Sequence, residues 1–287
     1  MKPASFDYVR PGSLGEALQA LSTHRNNGKI LAGGQSLVPM MNMRVVRPGV
    51  LIDINRVPGL DGIRVDGGEL VIGALARHSR LLESELVAKH CPLMVEAYHH
   101  VAHKPIRNRG TIGGNISHAD PASEMPAVLV AADGTIVAKR TTGERRITAA
   151  SFFTGPMQTA LAADEMVVEI RIPAAPAGQG WAFEEEANRK GDFAMAAIAA
   201  TVLVKGGKCE RAAIAVAGMG DHAARLPAAE AVLKGKALDA ATIAAAAAHA
   251  RDSVDPSGSY HADPQYKRDL VAALVERALS RAAARAK

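Results

Sequence analysis

Residues 29–44 read KILAGGQSLVPMMNMR, and a second glycine pair lies in TIGGN at residues 111–115. The first pair follows a short apolar strand expected at residues 29–32, and the second follows the basic stretch at residues 107–110. Glycine allows positive φ angles and close approach of a ligand, and successive N–H groups form a concave anion site. We therefore expect the two loops to hold a diphosphate from both sides, the alternative being two ordinary tight turns. Neither loop continues into Lys-Ser or Lys-Thr, so neither is a Walker A loop.

The composition is that of a globular protein, with 287 residues, 48% hydrophobic and 22% charged. The net charge of +5 comes from scattered Lys and Arg, and aromatic residues make up only 3%, so nothing predicts a nucleic-acid-binding face. The two cysteines, Cys91 and Cys209, form no CxxC pair, so no thiolate set for zinc or an iron–sulfur cluster is present. No apolar run reaches the ~18–20 residues that span a bilayer. Since the start also lacks an apolar signal segment, we expect a cytoplasmic protein without a membrane span.

Helix and strand signals divide the chain into three blocks. The first combines strands at residues 29–32 and 50–54 with a helix at residues 14–21, which Ser13 and Glu16 open as a capping box. The second block contains strands at residues 70–72, 136–139 and 167–172 and helices at residues 79–89, 92–103 and 123–131. The third follows a linker rich in Pro, Gly and Ala and contains strands at residues 181–186, 198–205 and 212–217 and helices at residues 228–233, 239–250 and 263–285.

Five stretches, taken in order, resemble one protein family. They are AGGQSLVPMMNMR (residues 32–44), VLIDINRVPGL (50–60), IRNRGTIGGNISHADPASEMPA (106–127), VVEIRIP (167–173) and RKGDFAMA (189–196). This series is similar, over essentially the whole chain, to the flavin-binding medium subunit of molybdenum hydroxylases of the carbon monoxide dehydrogenase and xanthine dehydrogenase type. The resemblance implies an α+β fold in which two α/β subdomains, residues 1–56 and 57–177, form a PCMH-type FAD-binding domain. A smaller α+β carboxy-terminal domain is expected at residues 178–287.

The resemblance also implies which residues contact FAD. The two glycine loops would wrap its diphosphate, and single residues elsewhere would approach the rest of the cofactor. The expected contacts are Ile30, Leu31, Ala32, Gly33, Gly34, Gln35, Ser36, Leu37, Val101, Thr111, Ile112, Gly113, Gly114, Asn115, Glu124, Met166, Lys190 and Phe193. Glu124 stands where most family members carry Asp against the ribose hydroxyls, and Phe193 stands where close relatives often carry Tyr near the isoalloxazine.

By the same resemblance, the chain is the FAD subunit of a heteromeric molybdenum hydroxylase. A large subunit with the molybdenum cofactor would oxidise the substrate, a small iron–sulfur subunit would relay electrons, and the flavin would pass them to an external acceptor in a dimer of heterotrimers. The cofactor carries the chemistry, so no catalytic side chain and no metal ligand are expected in this chain. Two alternatives stay open: a non-redox nucleotide-binding or assembly module of the same fold, and a free-standing flavoenzyme that uses Lys190 or His118.

Weaker patterns compete with this interpretation. The HHxxH motif places His99 and His103 at i, i+4 on an expected helix, which suits a metal, although polar-face or interface histidines are the preferred interpretation. GMGDHA at residues 218–223 matches a dinucleotide fingerprint, and the preferred interpretation there is a plain turn into the next helix. The run of glutamates at residues 184–186 is expected to form a solvated strand edge. Asp120 is expected to orient the second glycine loop or to approach the cofactor, the alternative being a helix cap before Pro121.

Overall fold

The structure, a computed structural model, describes residues 1–260 and 262–286. Its first elements are β1 (Asp7–Val9), α1 (Leu14–Thr23), β2 (Gly28–Leu31), α2 (Leu37–Asn42) and β3 (Val50–Asp53). The three strands form a parallel sheet in the order β1-β3-β2. Ser13 Oγ accepts from the amide of Glu16 at 3.2 Å, and Glu16 Oε2 accepts from the amide of Gly12 at 2.8 Å. These bonds begin α1 where the capping signal predicts it.

The second layer is a five-stranded antiparallel sheet in the order β4-β5-β10-β6-β7 with short helices against it. Its elements are β4 (Ile63–Asp66), β5 (Glu69–Gly73), α3 (His78–Leu82), α4 (Glu85–His90), α5 (Pro92–Tyr98), α6 (Lys104–Arg107), α7 (Ile112–His118), α8 (Glu124–Ala131), β6 (Thr135–Arg140), β7 (Gly143–Thr148), α9 (Ala149–Phe152), β8 (Phe153–Gly155), β9 (Gln158–Thr159) and β10 (Met166–Pro173). Strands β8 and β9 form a separate two-stranded ribbon. The central strand β10 closes the sheet after the helices, so residues far apart in sequence meet at its edges.

The third layer is a four-stranded antiparallel sheet in the order β11-β12-β13-β14, followed by three helices. Its elements are β11 (Gln179–Ala187), β12 (Ala194–Lys205), β13 (Lys208–Ala217), β14 (Ala224–Arg225), α10 (Pro227–Leu233), α11 (Ala240–Asp252) and α12 (Pro264–Arg285). None of the helices in the described part of the chain combines the length and apolarity that crossing a membrane requires.

Strand β12 is buried on both faces, which explains its alanine content. Ala197 and Ala199 belong to the core around α8, whereas Ala196 and Ile198 belong to the core under α10, α11 and α12. Every residue of α8 is buried. Because an alanine side chain is only a methyl group, the α8 backbone can lie close to the sheet. The third sheet is therefore packed tightly against the helices that precede it in sequence.

Two helices that the sequence predicts as continuous are interrupted. The helix expected at residues 79–89 is split into α3 and α4, because Ser84 is extended and its hydroxyl accepts from the amide of Val87 at 3.4 Å. The helix expected at residues 92–103 ends at Tyr98, and His103 is extended at φ −110° and ψ 160° before α6. The TIGGN segment, expected as a loop, opens the helix α7.

Candidate functional site

The first glycine loop leaves the carboxyl end of β2 and presents bare backbone. Gly34 has φ +74°, in the left-handed region. A Cβ atom on Gly33 would lie 2.5 Å from the carbonyl oxygen of Arg109 and 2.8 Å from Cα of Gly110, so the loop touches the segment that leads into the second glycine pair. Within the described residues, the amides of residues 33–36 donate to no protein acceptor. A row of backbone amides without protein acceptors suits an anionic group.

The second glycine loop is built differently. The amides of Ile112 and Gly113 donate to the carbonyls of Ala76 and Ala74 at 3.1 and 2.9 Å, and those of Gly114 and Asn115 donate to Thr111 at 3.1 and 2.9 Å. The expectation of free amides here is wrong, because tertiary contacts and the cap of α7 take all four.

Glycine in the second loop serves packing. A Cβ on Gly113 would lie 2.6 Å from both Cβ and O of Ala74, and a Cβ position on Gly114 lies 3.8 Å from Cβ of Ala32 in the first loop. The second pair therefore lets α7 lie close to Ala74, which follows β5, and to the first loop.

A polar bridge that sequence reasoning missed joins the two loops. Asn55 Nδ2 donates to the carbonyl of Ala32 at 2.8 Å and to Asp53 Oδ1 at 2.6 Å. Arg77 donates to Asn55 Oδ1 at 2.7 Å and to the carbonyl of Arg109. The one feature of the sequence that could have indicated this bridge is the position of Asn55 just after β3, at the same sheet edge as the first loop.

A cavity with basic walls lies beside this bridge, between the end of β3 and the start of α3. Its lining includes Asn55, Val57, Asp61, Leu75, Arg77 and Arg80 together with Arg56 and Pro58. Three guanidinium groups and one carboxylate give this wall a net positive charge. A positive wall favours an anionic group, and Asn55, which lines it, also bonds the carbonyl of Ala32 at the start of the first loop.

Asn115 carries an unsatisfied acceptor at the second loop. Its Nδ2 donates to Ser123 Oγ at 2.8 Å, while its buried Oδ1 has no hydrogen-bond partner among the described residues. Ser123 Oγ in turn lies 3.5 Å from Glu124 Oε2, and Glu124 is only 5% exposed. Since buried acceptors are normally paired, Asn115 Oδ1 is suited to a donor from a ligand.

Glu124 belongs to a buried acidic cluster with Glu185 and His100. Glu185 Oε1 lies 3.6 Å from Nδ1 of His100, and Glu185 Oε2 is buried without a partner among the described residues. Burial, and then the charge of Glu185, raises the pKa of Glu124 to about 7. The hydrogen bond with Glu185 raises the pKa of His100.

The expectation of a solvated edge at residues 184–186 is wrong for Glu185, whose side chain is 3% exposed. Glu185 shares a face of β11 with the buried Phe183, toward α5 and α8. Glu184 points to the opposite face and pairs with Arg281 of α12.

The expected FAD contacts differ in how far each residue is exposed to solvent. Buried residues are Gly33, Val101, Thr111, Ile112, Gly113, Glu124 and Met166; half-buried ones are Ile30, Leu31, Ala32, Gly34, Ser36, Leu37, Gly114 and Asn115; exposed ones are Gln35, Lys190 and Phe193. Met166 packs in one apolar cluster with Ile30 and Ala32, which brings β10 to the first loop. Lys190 and Phe193 lie in the connection between β11 and β12, where the Phe193 ring is 65% exposed.

The competing patterns have structural explanations. His99 and His103 do not share a helix, since α5 ends before both, and no group of three metal-ligating side chains occurs among the described residues. Residues 218–223 form a turn into the antiparallel strand β14 rather than into a helix, and the Gly218 amide donates to the carbonyl of Pro121 at 2.8 Å. A dinucleotide fingerprint needs a helix at that point, so that alternative is wrong. Asp120 Oδ1 accepts from the amide of Ala122 at 2.9 Å, which stabilises its own turn.

Comparisons with known proteins agree with this geometry. The family described as "FAD binding domain in molybdopterin dehydrogenase" matches residues 4–175, and the "CO dehydrogenase flavoprotein C-terminal domain" matches residues 181–282. The chain belongs to the FAD-binding medium subunits of the molybdenum hydroxylases. This confirms the resemblance, the α+β fold class and FAD as the cofactor, and it makes the chain a subunit of an oxidoreductase.

Individual relatives of this medium subunit match along their whole length. The 6-hydroxypseudooxynicotine dehydrogenase complex subunit alpha of Paenarthrobacter nicotinovorans is 43% identical, covering 100% of this chain and 97% of that protein. The carbon monoxide dehydrogenase medium chain of Hydrogenophaga pseudoflava is 39% identical, covering 99% of each. A solved structure of carbon monoxide dehydrogenase from Hydrogenophaga pseudoflava, lacking the Mo-pyranopterin moiety, superposes with a TM-score of 0.98 at 41% identity, covering 100% of both chains.

Proposed function

We propose that this medium subunit holds one FAD in the cleft between its first two sheets and passes electrons from an iron–sulfur subunit to an external acceptor. The observation that carries the proposal is the first glycine loop. Its amides at residues 33–36 have no protein acceptor within the described part of the chain, and it lies beside a cavity lined by three arginines. A diphosphate satisfies free amides and positive charge together.

We assign the FAD contacts to the residues that the family resemblance implies, with separate tasks for the two loops. The first loop binds the diphosphate through backbone amides. The second positions Asn115, whose buried Oδ1 suits a hydroxyl donor of the cofactor. The buried residues Glu124, Met166 and Val101 form the inner wall of the proposed FAD site. The exposed residues Lys190 and Phe193 form its outer wall, where an exposed aromatic ring suits contact with the flavin. We propose domain limits at residues 1–56, 57–177 and 178–287.

FAD supplies the redox chemistry, and the chain binds and orients it. In this proposal the iron–sulfur clusters and the molybdenum lie in partner subunits. Both cysteines of this chain are buried, and they lie in different hydrophobic cores. Burial raises the pKa of Cys91 to about 11, which disfavours the thiolate that ligates metal. The partners are a small iron–sulfur subunit and a large molybdenum-cofactor subunit, in a cytoplasmic dimer of heterotrimers.

Anaerobic reduction of the co-purified complex tests whether the flavin takes up electrons and gives them back. After stoichiometric dithionite reduces the iron–sulfur centres, we expect the flavin absorbance to bleach, and to return when an oxidant such as a quinone, a nicotinamide dinucleotide or oxygen is added. A flavin that stays oxidised while the clusters are reduced would contradict the proposal and favour the non-redox module. The size of the complex on a calibrated column tests the dimer of heterotrimers.

A further inference from the structure

A second cavity lies at the junction of the second and third layers and has a volume of about 90 Å³. Its floor is the inner face of the third sheet. Its walls are the turn between α4 and α5, the carboxyl end of α8 and the linker that follows β10. None of the expected FAD contacts lines it, so this cavity is separate from the cofactor site.

The cavity exists because the third sheet is longer than the helix that covers it. Helix α8 has eight residues and spans about 12 Å, whereas β12 has twelve residues and spans about 40 Å. Ala197 and Ala199 of β12 pack in the core around α8. Thr201 is the next residue on that face, and Ala131 and Ala132 at the end of α8 line the cavity with it. The strand therefore continues past the helix and leaves space above Thr201.

Two side chains on this floor have unused hydrogen-bonding groups. Trp181 of β11 and Thr201 of β12 are direct cross-strand partners, so their side chains share the face toward α8. Thr201 is only 7% exposed. Within the described residues, neither the Thr201 hydroxyl nor the indole N–H of Trp181 makes a hydrogen bond. Because buried hydroxyl and indole groups normally find a partner, both are available to a ligand.

The Trp181 ring is held in place by a residue that does not line the cavity. Arg285 of α12 lies over the ring, 5.2 Å from its centroid, and donates to the carbonyl oxygen of Trp181 at 2.7 Å. Arg285 is itself paired with Glu96 at 2.7 Å. A ring fixed in this way offers a flat apolar surface on which a planar molecule can stack.

The rest of the lining offers no free charge to a ligand. Besides His90, it contains two ionic side chains, Asp133 and Arg211, which pair with each other. Their side chains are 42% and 52% exposed, so this pair lies at the mouth of the cavity. Burial raises the pKa of Cys91 to about 11, so its thiol is neutral. Ala, Pro, Leu and Ile make up most of the remaining wall. Such a lining favours an uncharged molecule, because a buried ion needs a partner of opposite charge.

We propose that this cavity binds a small, uncharged aromatic molecule that carries one hydroxyl group. The ring stacks on Trp181, and the hydroxyl exchanges a hydrogen bond with that of Thr201. An apolar cavity of about 150 Å³ takes up benzene, so a single ring enters here with part of it in the open mouth, and a dinucleotide is too large. The inference goes beyond the proposed function and does not depend on FAD.

The single tryptophan makes the test selective. Trp181 is the one tryptophan of the chain, so its indole N–H gives one resonance in a nitrogen–proton correlation spectrum of the labelled full chain. Titration with phenol should shift this resonance saturably, with a Kd of about 1 mM or tighter. Benzoate has the same ring with a negative charge and should bind at least about tenfold more weakly.

Two substitutions locate the site. Thr201→Val keeps nearly the same shape without the hydroxyl, so phenol should bind about threefold to tenfold more weakly while benzene binds as before. Ala132→Leu adds side-chain volume to the wall and should abolish the binding of both. Ala244→Leu is the matched control, since Ala244 is an exposed residue of α11 outside the cavity, and this variant should bind like the wild type.

A wild-type chain whose Trp181 resonance shifts saturably with neither phenol nor benzene overturns the proposal, and that measurement needs no variant. Equal affinities for phenol and benzoate would contradict the uncharged ligand. Unchanged binding in a folded Ala132→Leu chain would contradict the location. Each of these outcomes leaves the proposed function standing, because FAD binding is measured separately by titration with FAD.

Discussion

Replacing Gly33 with Ala probes the contact between the two glycine loops. The added Cβ would lie 2.5 Å from the carbonyl oxygen of Arg109, whereas real Cβ atoms essentially never come within 3.0 Å of another heavy atom. The loops must therefore separate by at least half an ångström. The neighbour is backbone, further held by a hydrogen bond from Arg77, so it yields less readily than a flexible side chain would.

Overpacking of this kind costs roughly 1–3 kcal/mol. We expect Gly33→Ala to lower the free energy of unfolding by about that amount. Because the shift displaces the amides that we propose to bind the diphosphate, the Kd for FAD should also rise, by about tenfold or more.

The assay is titration of the apo-chain with FAD, followed by flavin fluorescence, alongside urea unfolding of the same samples. Gly15→Ala is the control, because a Cβ there meets nothing within 4 Å and the position lies in α1. That variant should bind FAD normally and lose no stability, since Gly15 lies in the first turn of α1 with open space around it. A folded Gly33→Ala protein that binds FAD with wild-type affinity would contradict the role proposed for the first loop.

Three further substitutions test separate parts of the site. Asn55→Ala removes the bridge between the loops and should cost roughly 1–3 kcal/mol of unfolding free energy, with weaker FAD binding; equal stability in urea would contradict the bridge. Phe193→Ala should leave the Tm unchanged and weaken FAD binding about threefold to tenfold, as fluorescence titration would show. Glu124 has a folded pKa of about 7 against 4.5 unfolded, so its stabilising contribution is complete below pH 4.5 and is lost as the pH rises through 7. The wild type should therefore lose up to about 3 kcal/mol more than Glu124→Gln between these pH values, and parallel curves would contradict the buried acid.

The sequence was most informative where local chemistry determines structure. The cap of α1 follows from Ser13 and Glu16, and the contact of the loops follows from glycines that allow close approach. These features depend on residues within a few positions of each other, or on the absence of a side chain.

What could not be predicted depends on tertiary contacts. A run of three glutamates does not reveal that Glu185 faces α5 and α8, because that follows from the register of β11 against a neighbouring layer. The amides of the second loop bind the carbonyls of Ala74 and Ala76, far away in sequence. Asn55 has an unremarkable sequence context, and its role emerges only when Arg77 lies beside it.

The FAD content of the purified chain is the most direct test of whether this subunit binds FAD. The visible spectrum is recorded, the chromophore is released and identified, and any apo-protein is titrated with FAD. We expect a flavin spectrum and FAD at about one per chain, either as isolated or after titration. A folded, colourless chain that takes up no added FAD would contradict it.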